Sequence, residues 1–123
     1  VELANSELAE QRKLVVKNLI KTARGQSLAI ALKEINKIPL RPLIDWSVDF
    51  CDDLIKVKLL PSTTRLTHID LQQALGNMAP TCDLTKLYEF RDVLLERKKQ
   101  SNIALNPQLL LEDLLLLWKH SFH

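Results

Sequence analysis

The sequence predicts an all-α protein, a single compact bundle of about five or six helices. Three observations carry that prediction. Apolar residues recur at three- and four-residue spacing in segment after segment, and no segment shows β alternation of useful length. Glycine, proline and asparagine punctuate the segments where helices would stop. The chain has 123 residues, 46% of them apolar, enough for one core and too few for two.

The first helix is expected from about Ser6 to Arg24, with Leu8, Val15, Leu19 and Ala23 at helical spacing and Asn5 or Ser6 as N-cap. Gly25 is placed to end it as a C′ residue. A second helix, about Ser27 to Lys37, turns Leu28, Ala31, Leu32 and Ile35 inward, and Pro39 and Pro42 close it. Pro42 then serves as a first-turn proline for a third helix running to about Leu60. Apolar side chains, Trp46, Phe50, Leu54 and Leu59 among them, cover more than half its circumference, which predicts a central position. Asp45, Asp49, Asp52, Asp53 and Lys56 share its one polar stripe. Pro61 to Arg65 reads as an exposed loop, and a short fourth helix spans about Asp70 to Asn77. The fifth, about Asp83 to Gln100, gathers Leu84, Leu87, Tyr88, Phe90, Leu94 and Leu95 on one arc, with Arg91 out of place inside it. Asn106-Pro107, an N-cap followed by proline at N1, opens the last helix.

Composition excludes several functions. Lys plus Arg number 17 against 15 Asp plus Glu, a net charge of +2 that demands no nucleic acid. With only two glycines, Gly25 and Gly76, neither a P-loop nor a dinucleotide fingerprint can be written. Cys51 and Cys82 form no CxxC pair and read as free thiols in a reducing, cytoplasmic setting. His68, His120 and His123 are too scattered for a zinc site, so no metal is expected. No signal peptide opens the chain, and no apolar run approaches the ~20 residues of a membrane span. The chain begins at Val1 rather than Met, so a single domain, residues 1–123, cut from a longer protein is expected.

Three features could carry function. Asp49, Asp52 and Asp53 stand at i, i+3 and i+4, close enough to share a cation or to act as an acid–base pair; a solvated polar face, neutralised by Lys56, is the plainer reading. No serine sits in a nucleophile elbow, so no catalytic residue is assigned. Lys13, Lys17, Lys21 and Arg24 form a basic stripe on the first helix. It reads as a hydrated face, a weak contact to a nucleic-acid backbone, or a dock for an acidic protein surface. The last helix is more informative. Leu110, Leu111, Leu114, Leu115, Leu117, Trp118 and Phe122 make its apolar side, while Leu109 and Leu116 project among the polar residues Gln108, Glu112, Asp113, Lys119 and His120. Two leucines in heptad register beside carboxylates fit a helix wedged between its own core and a neighbouring chain.

The run Leu105-Asn106-Pro107-Gln108-Leu109-Leu110-Leu111-Glu112-Asp113-Leu114-Leu115-Leu116, with Trp118 behind it, resembles the final helix of the delta-prime subunit of the bacterial DNA polymerase III clamp loader. Upstream, Ala79-Pro80 leading into Leu84, Leu87, Tyr88 and Leu94-Leu95-Glu96-Arg97-Lys98 resembles the preceding helix of that subunit. Over the first 78 residues the likeness rests on helix order and length. The resemblance implies a collar domain that joins other loader subunits, of gamma/tau and delta type, in an assembly that places the sliding β clamp on primed DNA. It implies further that AAA+ type domains belong to the parent chain. This domain would hold no cofactor or small-molecule substrate and touch no membrane. It would contact DNA only indirectly or weakly and catalyse nothing itself, polymerisation belonging to the holoenzyme. Leu109, Glu112, Asp113 and Leu116 are then the expected partner contacts, with Arg91 meeting a carboxylate at or near that seam.

Overall fold

A computed structural model describes residues 2–59, 72–100 and 106–122, the side chains of 2–5 and 72 excepted. Among these residues the elements are α1 (Glu2–Ala23), α2 (Leu28–Ile35), α3 (Leu40–Leu59), α4 (Gln72–Met78), a 3-10 turn (Ala79–Thr81), α5 (Leu84–Gln100) and α6 (Pro107–His120). The expected loop at Pro61 to Arg65, and the expected start of the fourth helix at Asp70, lie outside the described residues.

Local chemistry sets most of the boundaries. Gly25 takes φ of +107°, a conformation costly for a residue with a Cβ. The Gln26 N–H then reaches the Lys21 carbonyl at 2.9 Å and the Gly25 N–H that of Thr22 at 3.1 Å, which satisfies two of the orphan carbonyls of α1. Ser27 Oγ accepts from the Ala29 N–H at 3.2 Å, Asp83 Oδ1 from the Lys86 N–H at 3.2 Å, and Asn106 Oδ1 from the Leu109 N–H at 3.0 Å. Three of the helices therefore carry a side-chain N-cap. The start of α1 departs from expectation: the helix is already under way at Glu2, so Asn5 and Ser6 are helical residues and not its cap.

The four long helices close a cycle in which α1 packs on α3, α3 on α5, α5 on α6 and α6 back on α1. Helix α2 lies along α1 and α6, while α4 and the 3-10 turn sit on α3. Trp118 of α6 is fully buried at the centre of the cycle. Its ring meets Phe50 of α3 at 5.9 Å, Phe90 of α5 at 5.3 Å and Phe122 at 4.8 Å between centroids, tilted or edge-on as ring quadrupoles favour. Its indole Nε1–H donates to the Leu19 carbonyl of α1 at 2.8 Å, so the one polar atom of the ring is paired. Val15, Leu19, Leu54, Leu87, Leu94, Leu111, Leu114 and Leu115 fill the space around it. The void they leave beside Ile35 and Leu43 is about 10 Å³, too small to hold more than one water.

Two polar features lock the packing. On α3 and α5, Asp45 pairs with Lys98 at 2.7 Å and Asp52 with Arg91, so the helices run antiparallel with the two pairs seven residues apart on each. Asn18, fully buried on α1, donates to the Leu14 carbonyl at 2.9 Å and toward Glu34 Oε2 at 3.5 Å, and accepts from Gln26 Nε2 at 3.1 Å. At the far end, the Asp83 N–H donates to the Ser121 carbonyl at 2.9 Å beside a Cys82–Phe122 bridge, which pins the residues after α6 to the start of α5.

Several side-chain expectations change once helices have neighbours. Tyr88 and Leu95, assigned to the apolar arc of α5, are 44% and 37% exposed. Leu8 and Leu59 are likewise exposed. Asp53 is fully buried, so the acidic stripe of α3 is not a uniformly solvated face.

Candidate functional site

Helix α6 gives the site its geometry. The Asn106 cap and Pro107 at N1 fix where it begins and so fix its phase. Leu111, Leu114, Leu115 and Trp118 point into the cycle and are buried. Leu109, Asp113, Leu116 and His120, at i, i+4, i+7 and i+11, fall on the opposite side, where a 3.6-residue repeat must put them. Leu109 is 53% and Leu116 is 44% exposed, Asp113 is exposed, and Glu112 is half-buried on the flank. On the other flank Leu117 is 40% exposed. The four partner contacts expected on this helix therefore share one outward surface. Leu117 joins them, although its place on the wheel assigned it to the apolar side.

Beyond Leu117 the surface dips into a groove of about 440 Å³ between α5 and α6, with Phe90, Val93 and Phe122 among its apolar walls and Lys86, Glu89 and His120 among its polar ones. Sequence reasoning did not find it, because its two sides belong to different helices. The excess of leucine on α6 was the one available signal.

Arg91 lies elsewhere. It sits on the flank of α5 turned to α3 and not on the flank, Lys86, Glu89 and Val93, that faces α6. Its Nε donates to Asp52 Oδ1, and that hydrogen bond holds the guanidinium above its ordinary range. The carboxylate that satisfies Arg91 thus comes from this chain, and the misplaced charge on the α5 arc is explained by the acidic stripe of α3.

The basic stripe of α1 is assembled as the spacing predicted. Lys13, Lys17, Lys21 and Arg24 are all exposed, and with Val16 and Ile20 they line a concavity of about 420 Å³. Lys13 also approaches Glu10 at 3.8 Å, an exposed i, i+3 pair of little energetic weight.

Both cysteines are free and buried. Burial pushes the Cys51 thiol up to about 12, helped by the nearby Asp52 charge, and burial raises Cys82 as well. A thiol held protonated is a poor nucleophile and metal ligand. Among the described residues, no group of three or more His, Cys, Asp or Glu is placed to hold a metal ion. Asp49, Asp52 and Asp53 therefore do not converge with further ligands there. No helix of the described residues is long and apolar enough to cross a membrane.

Among the described residues the fold is a helical bundle that presents a leucine stripe on α6 and a row of cations on α1. A scan against protein families is specific about which kind: the family model of the DNA polymerase III delta subunit, C-terminal part, matches residues 6–120, and the chain belongs to that family. It is thus the C-terminal domain of a clamp-loader subunit of DNA polymerase III. Comparison with curated proteins gives no match, and comparison with solved structures gives none either.

Proposed function

We propose that this domain is the assembly, or collar, part of a delta-prime-type clamp-loader subunit. It acts in the cytoplasm and holds the loader together while the sliding β clamp is placed on primed DNA. The outer stripe of α6, Leu109, Glu112, Asp113 and Leu116, is the contact surface, and its partners are the sister subunits of gamma/tau and delta type. Arg91 supports that surface indirectly, by fixing α5 against α3 through Asp52. The parent chain carries AAA+ type domains; this part needs no cofactor and performs no catalytic step.

One observation carries the reading. Two leucines half-open to water stand seven residues apart on the side of α6 opposite a filled core. Each forgoes a large part of the roughly 1.5–3 kcal/mol that full burial of such a side chain provides. A partner that covers both recovers it. The charged variant Leu116→Glu should abolish co-elution with the other loader subunits while circular dichroism shows unchanged helicity. Retained co-elution would remove Leu116 from the seam.

A second reading has its own observation: four cations exposed on one face of α1. Were that face a nucleic-acid contact, oligonucleotide binding would weaken steeply with added salt. Assembly through an apolar stripe would not.

A further inference from the structure

The groove between α5 and α6 has a shape and a set of polar groups that the assembly reading does not use. The two helices run antiparallel, since the start of α5 meets the end of α6 at Asp83 and Ser121 while Phe90 meets Trp118 further on. Between them lies the groove of about 440 Å³. Ser121 and Phe122 cross from α6 to the start of α5, held there by the Asp83 N–H and the Cys82–Phe122 bridge, and they close the groove at that end. A polypeptide cannot run on through it; a small molecule can end there. The volume is that of small-molecule sites, about 300–1,000 Å³, which occur between the helices of bundles.

The apolar part of the groove continues the aromatic cluster of the core. Phe90 and Phe122 line it, and the same two rings touch Trp118 at 5.3 and 4.8 Å between centroids. Val93 and Leu117 complete the wall. An aromatic ring laid here extends the cluster by one member in the tilted or edge-on contacts that ring quadrupoles favour.

The polar part carries both signs. Lys86 and Glu89 stand three residues apart on α5, neighbours on the helix surface. The same spacing pairs Glu10 with Lys13 at 3.8 Å and Glu96 with Lys99 at 3.7 Å. Among the described residues Lys86 and Glu89 form no such pair, with each other or with a third group. His120 brings a ring N–H donor from the α6 side. Lys86 lies in the first turn of α5, where the helix dipole also favours an anion.

A ligand that uses all of these groups has an anionic head, a cationic head beside it and a flat apolar body. We propose that the groove binds a free aromatic α-amino acid. Its carboxylate meets Lys86 and His120, its ammonium meets Glu89, and its ring lies against Phe90, Val93 and Phe122. An aromatic carboxylic acid would leave Glu89 without a partner, and an aromatic amine would leave Lys86 without one. An aromatic residue within a polypeptide has neither charge. The inference is independent of the assembly reading, because Leu109 and Leu116 take no part in it.

A titration of the full chain with L-phenylalanine, followed by backbone amide NMR, tests it. The amides of Phe90, Val93, Leu117 and Phe122 should shift and saturate in the millimolar range. Phenylacetate and phenethylamine, each lacking one charge, should bind about fivefold more weakly, the upper end for an ion pair open to solvent. Lys86→Ala should weaken L-phenylalanine and phenylacetate by about the same factor and leave phenethylamine unchanged. Glu89→Gln should weaken L-phenylalanine and phenethylamine and leave phenylacetate unchanged. Both positions are exposed, and the amide spectra themselves report that the variants fold. No saturable shift at these residues overturns the proposal, as does an L-phenylalanine affinity that neither variant changes. N-acetyl-phenylalaninamide binding as tightly as L-phenylalanine also overturns it; the groove would then take a side chain of a partner polypeptide.

Discussion

The two sides of α6 are built from the same residue type and do opposite things. Leu111, Leu114 and Leu115 are 2–3% exposed and join Trp118 in closing the four-helix cycle, whereas Leu109, Leu116 and Leu117 are 40–53% exposed. Composition cannot tell these two sets apart. What separates them is phase, and phase is set at one place, the Asn106-Pro107 start, from which each later leucine inherits its direction. Hydrophobicity on a helix therefore has a meaning only relative to a cap.

That contrast can be attacked from its strongest point downward. Trp118→Ala should cost about 3–5 kcal/mol in urea unfolding, the range for removing a large buried aromatic, with the buried donor to Leu19 lost as well. Leu114→Ala should cost about 2–5 kcal/mol by the same measurement, because the structure around the space it leaves relaxes only in part. A Leu114→Ala variant as stable as the parent would mean that the inner face is not the core.

The core on the α3 side predicts a pH dependence. The Cys51 thiol is raised from 9.0 to about 12, so between those values the unfolded chain has released a proton that the folded one keeps. Its contribution to stability is complete below pH 9 and is lost as pH climbs toward 12, by about 1.4 kcal/mol per unit at most. The gap between the urea midpoints of the parent and of Cys51→Ala should stay constant below pH 9 and change only above it, with the parent falling faster. Parallel curves would place Cys51 in contact with solvent.

Asn106→Ala should cost about 0.5–2 kcal/mol, as loss of an N-cap does, and should reduce the order of both faces of α6 together. Leu116→Ala should change stability least, by no more than about 0.5 kcal/mol, as surface substitutions do. A loss as large as that of Leu114→Ala would show that the two faces are not distinct after all.

Where a feature depends on neighbours in the chain, the sequence displays it. The Gly25 stop, the Asn106 cap and the outward direction of Leu109 and Leu116 were all readable because capping and the helical repeat are local, and the caps Ser27 and Asp83 stand where the second and fifth helices were expected to start. The family resemblance, too, was carried by the Asn-Pro start and the leucines after it. Where a feature depends on which helix meets which, the sequence is silent. Arg91 looked misplaced until α3 brought Asp52 to it, and nothing in a single-helix projection reveals that Asp45 and Lys98 repeat the pairing seven residues on. Asp53 was read as solvated and is buried. Tyr88 and Leu95 were read as core and lie open, because α3 and α6 occupy only part of the arc that the apolar residues of α5 describe.

The chain has two tryptophans, and they stand in contrasting surroundings. Trp46 is half-open on α3, while the indole of Trp118 is sealed among three phenylalanine rings with its Nε1–H bonded to the carbonyl of another helix. Replacing Trp46 by phenylalanine would leave one chromophore at the meeting point of α1, α3, α5 and α6. Its blue-shifted, quencher-resistant emission would read out closure of the helical cycle directly, without any attached dye.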